Sequence, residues 1–292
     1  KMMKDVGVNV HLNKNVTDVL SDASGVIVKC FDGKDFMGDK CIIATGGLSY
    51  PSTGSTGDGY KFAKNMGHTI EETYPSLVPF NIKEEYCKRL QGLSLKNVTL
   101  TIKDENGKVP YSEMGEMLFT HFGISGPLVL SASAYLSDTL KKHQYVGYID
   151  LKPALDEEKL DKRIIKDFTK YTNKNFENAL DDLLPRKLIP IIIELSEIPK
   201  HMKVNQISKQ QRLNLVHLLK NITFTVRRYR PIEEAIITSG GIKVSEINAS
   251  TMESKIIKNL FFAGEIIDVD AYTGGFNLQI AYSTAYLAGI NC

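Results

Sequence analysis

The residues best suited to chemistry lie near the C-terminal end of the sequence. A short apolar run ends at Gly264-Glu265, and after a loop Thr273-Gly274-Gly275 precedes a predicted helix. This pattern predicts a buried strand with a carboxylate at its end, followed by a glycine-rich helix N-terminus. A carboxylate can accept hydrogen bonds from sugar or ribityl hydroxyls, and glycines let backbone N–H groups approach a ligand closely. The spacing is typical of a site for an anionic, polyhydroxylated cofactor.

A second glycine turn follows an earlier apolar run. Cys41 to Ala44 is apolar at every position, which predicts a strand covered on both faces, as in a parallel sheet. Thr45-Gly46-Gly47 follows it directly. In open α/β sheets, ligands bind outside the carboxyl ends of the strands. Gly46-Gly47 alone is equally consistent with a tight turn, but two such turns together favour a cofactor site.

The helix predicted from Phe276 to Ala288 would present the N-terminal end of its dipole to that site. Its positive partial charge suits the negative charge that a reduced flavin ring carries. The spacing of the apolar residues predicts one stripe that packs on the sheet, and Gly289 is the predicted stop. An uncapped, purely structural helix fits the same residues, and so does a helix capped by Thr273 or Asn277. The predicted stripe consists of Leu278, Ala281, Tyr282, Ala285 and Ala288.

The elements that must position these turns are nested in the chain. Residues 16–20, 26–31 and 35–38 predict an antiparallel meander with a turn at 22–25. The α/β domain is predicted over 1–75 and 248–292. It is interrupted by a β-rich domain (76–152 and 221–247), which is itself interrupted by a helical subdomain (153–220). In this subdomain Asp156 is a predicted N-cap, and Ser208 with Gln211 fits a capping box.

Composition excludes several classes of protein. The 292 residues include 36 Lys+Arg and 34 Asp+Glu, a balance that argues neither for nor against a nucleic-acid partner. The basic run at 227–230 is short and favours a solvated strand edge over a phosphate site. Cys30, Cys41, Cys87 and Cys292 form no CxxC pair, so neither a disulfide framework nor a metal site is expected. The longest apolar stretch, 188–195, is far shorter than the roughly 20 residues that span a bilayer, and we expect a cytoplasmic protein.

Three long motifs carry a resemblance to a known family. They are ATGGLSYPSTGSTGDGY at 44–60, GEMLFTHFGISGPLVLS at 115–131 and GEIIDVDAYTGGFNLQIAYSTAYLAG at 264–289. The chain resembles, over essentially its whole length, the BaiN/RdsA-type, HI0933-like family of NAD(P)/FAD-dependent oxidoreductases. The resemblance implies a split, Rossmann-like FAD domain with an inserted β-rich domain and a helical subdomain.

The resemblance also implies which residues hold FAD. Glu265 would bond the ribityl or pyrophosphate region, and residues 274–277 would present backbone N–H groups to the pyrimidine edge of the flavin. Asp268 would orient that backbone, although an aspartate that bonds its own turn fits equally well. The implied cofactor-binding residues are Thr45, Gly46, Gly47, Gly264, Glu265, Asp268, Gly274, Gly275, Phe276 and Asn277.

One departure from the family pattern concerns the pyrophosphate. The Gly-x-Gly-x-x-Gly fingerprint occurs nowhere in this sequence, and Gly54 to Gly59 has the reversed spacing and follows a loop. We therefore expect the fingerprint upstream of Lys1, in an N-terminal βαβ segment, and the sequence to be a truncated fragment. For such a fragment we expect weak or absent FAD.

The activity implied by the resemblance is hydride transfer from NAD(P)H through flavin N5 to a carbon–carbon double bond. The substrate would be a steroid-like enone or uracil in ribosomal RNA. His121 is a candidate proton donor because its ordinary pKa lies near neutrality, but a histidine that only holds its loop fits as well. A different class of function is a non-catalytic module that uses the inserted domains to contact a protein or RNA partner.

Overall fold

The computed structural model describes residues 2–22, 25–136, 139, 140 and 142–292. Its strands in chain order are β1 (Val16–Asp22), β2 (Gly25–Cys30), β3 (Phe36–Gly38), β4 (Cys41–Ile43), β5 (Ile70–Ser76), β6 (Phe80–Ile82), β7 (Ser94–Asp104), β8 (Tyr111–Phe119), β9 (Gly123–Ser125), β10 (Tyr145–Asp150), β11 (Ile222–Tyr229), β12 (Ile237–Ile242) and β13 (Leu260–Phe262). Its helices are α1 (Met2–Asp5), α2 (Asp58–Asn65), α3 (Tyr86–Arg89), α4 (Pro127–Leu136), α5 (Glu157–Lys170), α6 (Ile189–Ser196), α7 (Lys209–Lys220) and α8 (Phe276–Asn291).

The chain divides into two compact units. The terminal unit comprises Lys1–Tyr74 with Ile237–Cys292, and the central unit comprises Pro75–Ile236. The sequence places the return to the first domain at 248, whereas the chain re-enters the terminal unit at Ile237. The reason is that β12 pairs with β5 in a two-stranded sheet. The helical residues 153–220 belong to the same unit as the barrel strands.

The terminal unit contains the predicted meander and a short parallel pair. Strands β1, β2 and β3 form an antiparallel sheet, as predicted, and the predicted turn at 22–25 lies partly outside the described residues. Strand β4 pairs in parallel with β13, with Cys41 opposite Leu260 and Ile43 opposite Phe262. Strand β13 is buried throughout, but Ile42 in β4 is exposed. The prediction that residues 41–44 are covered on both faces was therefore wrong.

Helix α8 differs from the sequence prediction at its surface and at its end. Leu278 and Tyr282 of the predicted packing stripe are 62% and 69% exposed, and Ala288 is the buried residue of the described helix. Gly289 lies inside the helix, which continues to Asn291. The helix has apolar residues around most of its circumference, so spacing alone did not identify the packed face.

The central unit is built on a closed barrel of six strands in the order β10-β11-β6-β9-β8-β7. All neighbouring strands are antiparallel, and β10 closes the barrel on β7. Gly147 lies opposite Phe224 across the β10–β11 pair, and a Cβ at 147 would overlap the Phe224 ring. The missing side chain thus makes room for a large aromatic ring in the barrel core.

The predicted helix starts in the helical segment are confirmed. The Asp156 side chain accepts a hydrogen bond from Lys159 N and caps α5. Ser208 and Gln211 form the reciprocal capping box at the start of α7. Such caps contribute about 0.5–2 kcal/mol each. Both helices bury apolar residues that join the core of the barrel.

Candidate functional site

The Gly46-Gly47 turn after β4 is packed against the start of β12. The Thr238 hydroxyl accepts hydrogen bonds from Leu48 N (2.8 Å) and Ser49 N (3.1 Å). A Cβ at Gly47 would lie 2.5 Å from Thr238 Oγ1, so a side chain cannot fit there. The glycine therefore allows the turn to approach β12 closely.

Glu265 holds this junction together instead of presenting both carboxylate oxygens to solvent. Its Oε1 accepts a hydrogen bond from Thr238 N at 2.5 Å, and the Ser49 hydroxyl also hydrogen-bonds its carboxylate. Burial of the half-buried side chain raises its pKa, and the hydrogen bonds from Thr238 and Ser49 oppose this effect. The end of β13, the start of β12 and the turn after β4 thus meet at one carboxylate.

Thr45 and Gly46 shape the other side of the same turn. Gly46 has φ +73°, and a Cβ there would lie 2.6 Å from Ser55 Oγ. Thr45 is exposed at the end of β4, and its hydroxyl occupies the space that a side chain at Gly59 would need. The glycine at 59 therefore lets the start of α2 pack directly beside the turn.

The end of β13 is tied to α8 and to β12. The Thr284 hydroxyl in α8 accepts a hydrogen bond from Gly264 N at 2.9 Å. The Asp268 carboxylate accepts a hydrogen bond from Gly240 N, and its pKa is raised mainly by burial. Asp268 therefore binds the backbone of β12. This contact is neither the predicted orientation of the backbone at 274–277 nor a bond within its own turn.

The N-terminus of α8 is free of side-chain caps. Gly275 occupies the N-cap position with φ +89°, no side chain caps the helix, and Gly274 has φ +112°. Asn277 does not cap the helix, because its amide bonds the backbone of Ala271 in both directions (2.8 and 2.6 Å). The suggestion that Thr273 or Asn277 caps α8 was wrong. Phe276 is 60% exposed, and the glycine-rich helix start faces open space.

Tyr60 adds a polar group that the sequence did not single out. Its side chain is buried, and its hydroxyl has no hydrogen-bond partner among the described residues. Burial raises its pKa, and the carboxylates of Glu265 and Asp268 raise it further. A buried hydroxyl without a partner is costly in a native protein and points to a group that binds there.

A hydrogen-bonded Ser–His–Glu chain lies elsewhere in the terminal unit. Ser254 Oγ is 2.9 Å from His68 Nε2, and His68 Nδ1 is 3.1 Å from Glu246 Oε2. The order matches that of a hydrolase triad. However, Ser254 is buried, and its oxygen already accepts hydrogen bonds from the backbone N–H groups at 256 and 257. The chain therefore stabilises the fold and does not present a nucleophile.

His121, the candidate proton donor, lies in the central unit. It is exposed at the turn between β8 and β9, and its ring contacts Phe122 edge-to-face at 4.9 Å. Arg230 lies over the same Phe122 ring, with its guanidinium 4.6 Å from the ring centroid, and it is paired with Glu234. Because the His121 side chain is exposed, its imidazole is accessible to solvent.

Sequence reasoning missed four residues of the terminal-unit site. Ser49 and Thr238 bind Glu265, Thr284 binds Gly264, and Tyr60 is the buried hydroxyl. Hydroxyl residues are common, and only the contacts of Ser49, Thr238 and Thr284 with distant segments and the burial of the Tyr60 hydroxyl distinguish these four. In the described part of the chain, no cluster of three His, Cys, Asp or Glu side chains is arranged to hold a metal ion. Every described helix is too short or too polar to cross a bilayer.

Comparison with known proteins agrees with the fold of the central unit. Residues 74–237 match the HI0933-like protein barrel and H2TH domain, which is more than half of the chain. The chain belongs to the HI0933-like family, as its sequence motifs predicted.

Curated relatives extend the similarity to most of the chain. A 3-dehydro-bile acid delta(4,6)-reductase of Clostridium scindens is 29% identical over 97% of this chain and 68% of that protein. The ribosomal RNA dihydrouridine synthase of Escherichia coli is 32% identical over 94% of this chain and 63% of its own length. That of Haemophilus influenzae is 35% identical over 86% and 59%. The chain spans between 59% and 68% of the lengths of these relatives.

Proposed function

We propose that this protein is an FAD-dependent oxidoreductase that reduces a carbon–carbon double bond with NAD(P)H as the reductant. The observation that carries the proposal is the junction in the terminal unit, where Glu265 joins the turn after β4 to the start of β12 and the end of β13. Relatives named as a bile acid delta(4,6)-reductase and a dihydrouridine synthase support the reaction class. A bound flavin supplies two-electron chemistry that protein side chains lack.

The residues present fit such a cofactor. Thr238 leaves no room for a side chain at position 47, so only glycine fits there. Gly274 and Gly275 precede α8, whose start has no side-chain cap. The unpartnered hydroxyl of Tyr60 is a donor for a ligand oxygen or nitrogen. The parallel β4–β13 pair, from segments far apart in the sequence, supports a split Rossmann-like domain.

We assign three tasks to residues of the terminal unit and one to His121 of the central unit. Thr45, Gly46 and Gly47 line the cofactor crevice, and residues 274–277 offer backbone N–H groups that stabilise negative charge. Glu265 positions the glycine turn through Thr238 and Ser49, because at least one of its oxygens is already engaged. His121 is proposed as the proton donor to the substrate, which is either a steroid-like enone or uracil in ribosomal RNA.

The first test compares two glycines under equal backbone strain. Gly275 (φ +89°) and Gly92 (φ +83°) both have open space where a Cβ would lie. In the protein purified at its natural length, Gly275→Ala should lower the affinity for FAD about tenfold by displacing a backbone donor. Gly92→Ala in the central unit should leave it unchanged. Retained flavin and the rate of NAD(P)H oxidation are the readouts.

Two outcomes would overturn the proposal. A colourless protein that does not retain added FAD and does not oxidise NADH or NADPH would favour the non-catalytic binding module. Equal loss of FAD in both glycine variants would show that residues 274–277 do not contact the cofactor.

His121→Gln should lower the rate of substrate reduction without changing the rate of flavin reduction by NAD(P)H.

A further inference from the structure

Two cysteines that are far apart in the sequence lie side by side in the terminal unit. Lys40, the residue before Cys41, donates a hydrogen bond from Nζ to the Asn291 carbonyl oxygen at 2.8 Å, and Asn291 precedes Cys292. The two bonded residues are 251 positions apart. The fold therefore joins the start of β4 to the end of α8, and it brings together a cysteine pair that no CxxC spacing predicts.

The side chains of both cysteines face the same apolar core. Side chains alternate along β4, so Cys41 shares the face of the buried Ile43 and not that of the exposed Ile42. Cys41 packs against the core of the terminal unit, in which Ala288 of α8 is fully buried. Cys292 is four positions further along, and its N–H donates to the Ala288 carbonyl at 2.9 Å. Residues four apart lie on one face of a helix, so Cys292 is on the face that α8 turns to this core.

The two thiols differ in exposure, which gives each a different part in a reaction. Cys41 is half-buried and Cys292 is exposed. Burial raises the pKa of the Cys41 thiol, and the nearby Cys292 raises this pKa further. Because the thiolate is the nucleophile and needs access to its target, Cys292 is the thiol that attacks a dissolved disulfide first. A bond at Cys292 then removes the charge that raises the pKa of Cys41, which prepares Cys41 for the second step.

The other two cysteines of the sequence are not available for this bond. Cys30 is buried in β2, and Cys87 is fully buried in α3 of the central unit. Burial also raises the pKa of Cys87 well above its ordinary value. A disulfide with either residue would require a buried thiol to leave its packed position. The pair at 41 and 292 is therefore the pair that the fold makes available.

We infer that Cys41 and Cys292 form a reversible disulfide that fixes the end of α8 to β4 when the protein meets a low-molecular-weight disulfide such as glutathione disulfide. The Cys292 thiolate attacks one sulfur of that disulfide, which forms a mixed disulfide and releases one glutathione. Cys41 then loses its proton to water, and its thiolate attacks the Cys292 sulfur and releases the second glutathione. Two cysteine thiols are oxidised, one glutathione disulfide is reduced, and the two protons end on the released glutathiones.

The bond restrains a helix that has little burial of its own. Ala288 is the buried residue of the described α8. A disulfide needs its Cα atoms about 4.4–6.8 Å apart. Cys292 follows the last residue of α8, so it can adjust its own dihedral angles without disturbing the helix before it. The inference requires no bound flavin, so it can fail while the proposed oxidoreductase function stands.

The first test exposes the folded protein, purified at its natural length, to glutathione buffers that range from reduced to oxidised. In the oxidised buffer the protein should lose two thiols, and mass spectrometry of unreduced peptides should show one pair joined through Cys41 and Cys292. Cys292→Ser should form no such pair. Cys41→Ala should stop at a mixed disulfide of Cys292 with glutathione, which identifies Cys292 as the attacking thiol. Cys87→Ala is the matched control and should form the bond as the parent protein does.

A second measurement tests whether the bond restrains α8. The oxidised parent protein should melt about 5 °C above the reduced protein, because the bond restricts the unfolded chain. The amide protons of α8 should exchange at least about tenfold more slowly. Cys292→Ser should melt at the same temperature in both buffers, whereas Cys87→Ala should show the shift of the parent protein. An excess of reduced glutathione should reverse both effects.

Three results would overturn the inference. The first is a glutathione adduct on Cys292 that persists in the parent protein without a bond to Cys41. The second is a dimer of the protein joined through Cys292. The third is a bond between the two cysteines that leaves both the melting temperature and the exchange of α8 unchanged, because such a bond would fix nothing.

Discussion

The two units of this protein bury their apolar residues in different ways. In the central unit a closed barrel surrounds large side chains such as Phe80, Phe119 and Phe224, each almost fully buried, and no barrel strand is left with a free edge. In the terminal unit helix α8 leaves Tyr282 and Tyr286 68–69% exposed. The central unit is therefore stabilised by its own core, whereas the terminal unit presents apolar surface outward.

Polar contacts join the strand ends of the terminal unit beside its apolar core. Thr238 and Glu265 join three strand ends, and Thr284 joins α8 to one of them. Each such hydrogen bond contributes only about 1 kcal/mol, but leaving a buried partner unpaired costs more. The barrel of the central unit therefore depends on the packed volume of its side chains. The junction of strand ends in the terminal unit depends on hydrogen-bond geometry. Contiguous exposed apolar surface of this kind marks an interaction site in many proteins.

The largest expected effect tests the core of the barrel. Phe224→Ala should lower the free energy of unfolding of the central unit by about 3–5 kcal/mol, because it removes a buried ring beside Gly147. Tyr282→Ala on the exposed face of α8 should change the free energy of unfolding of the terminal unit by less than about 0.5 kcal/mol. Urea unfolding followed by circular dichroism measures both. Equal losses would contradict the contrast between the units.

A smaller effect tests the hydrogen-bonded junction. Thr238→Val keeps the shape but leaves the N–H groups of Leu48 and Ser49 without their acceptor, which should destabilise the terminal unit by about 2–4 kcal/mol. Thr223→Val, on the outer face of β11, is the matched control and should be nearly neutral. Hydrogen exchange of the amides at 48 and 49 localises the effect. Unchanged protection in Thr238→Val would mean that volume, and not geometry, holds the turn.

The next effect depends on pH and on His68. Burial lowers the pKa of His68 below its ordinary value of 6.5, although Glu246 partly opposes this shift. The unfolded chain therefore binds a proton on this group more readily than the folded chain. The stability that neutral His68 contributes is complete above about pH 6.5 and is lost as pH falls from there through the folded pKa.

Unfolding at pH 7.5 and 5.5 checks this prediction. The loss of stability between the two pH values should be smaller in His68→Gln than in the parent protein. His201→Gln, at an exposed histidine of the central unit, should retain the parent's dependence. If His68→Gln and the parent protein lose the same stability, the buried Ser–His–Glu chain does not determine the pH response.

The smallest expected change in stability concerns the exposed face of α8. Replacing Leu278, Tyr282 and Tyr286 by Gln removes apolar surface that is already in water, so the free energy of unfolding should change by less than about 0.5 kcal/mol per substitution. Binding of a hydrophobic fluorescent dye should fall sharply. A large loss of stability would show that this face is packed in solution and would remove the difference between the units.

Local patterns in the sequence predicted much of the local structure. The caps at Asp156 and Ser208, the meander and the parallel pairing of β4 all depend on short-range signals or on a run of apolar residues, and the structure contains them. The family was also correctly predicted, since its three motifs are long. The packed face of α8 was not, because a helix with apolar residues on most of its surface has no distinct stripe.

The sequence by itself determined the family and the positions of the glycine turns, because each depends on residues that are adjacent in the chain. Only the tertiary structure decided what Glu265 and Asp268 bind, since their partners Thr238 and Gly240 come from a distant strand. It likewise decided that Cys41 and Cys292 lie side by side. Contacts of this kind depend on helix packing and strand register, which no local spacing of residues specifies.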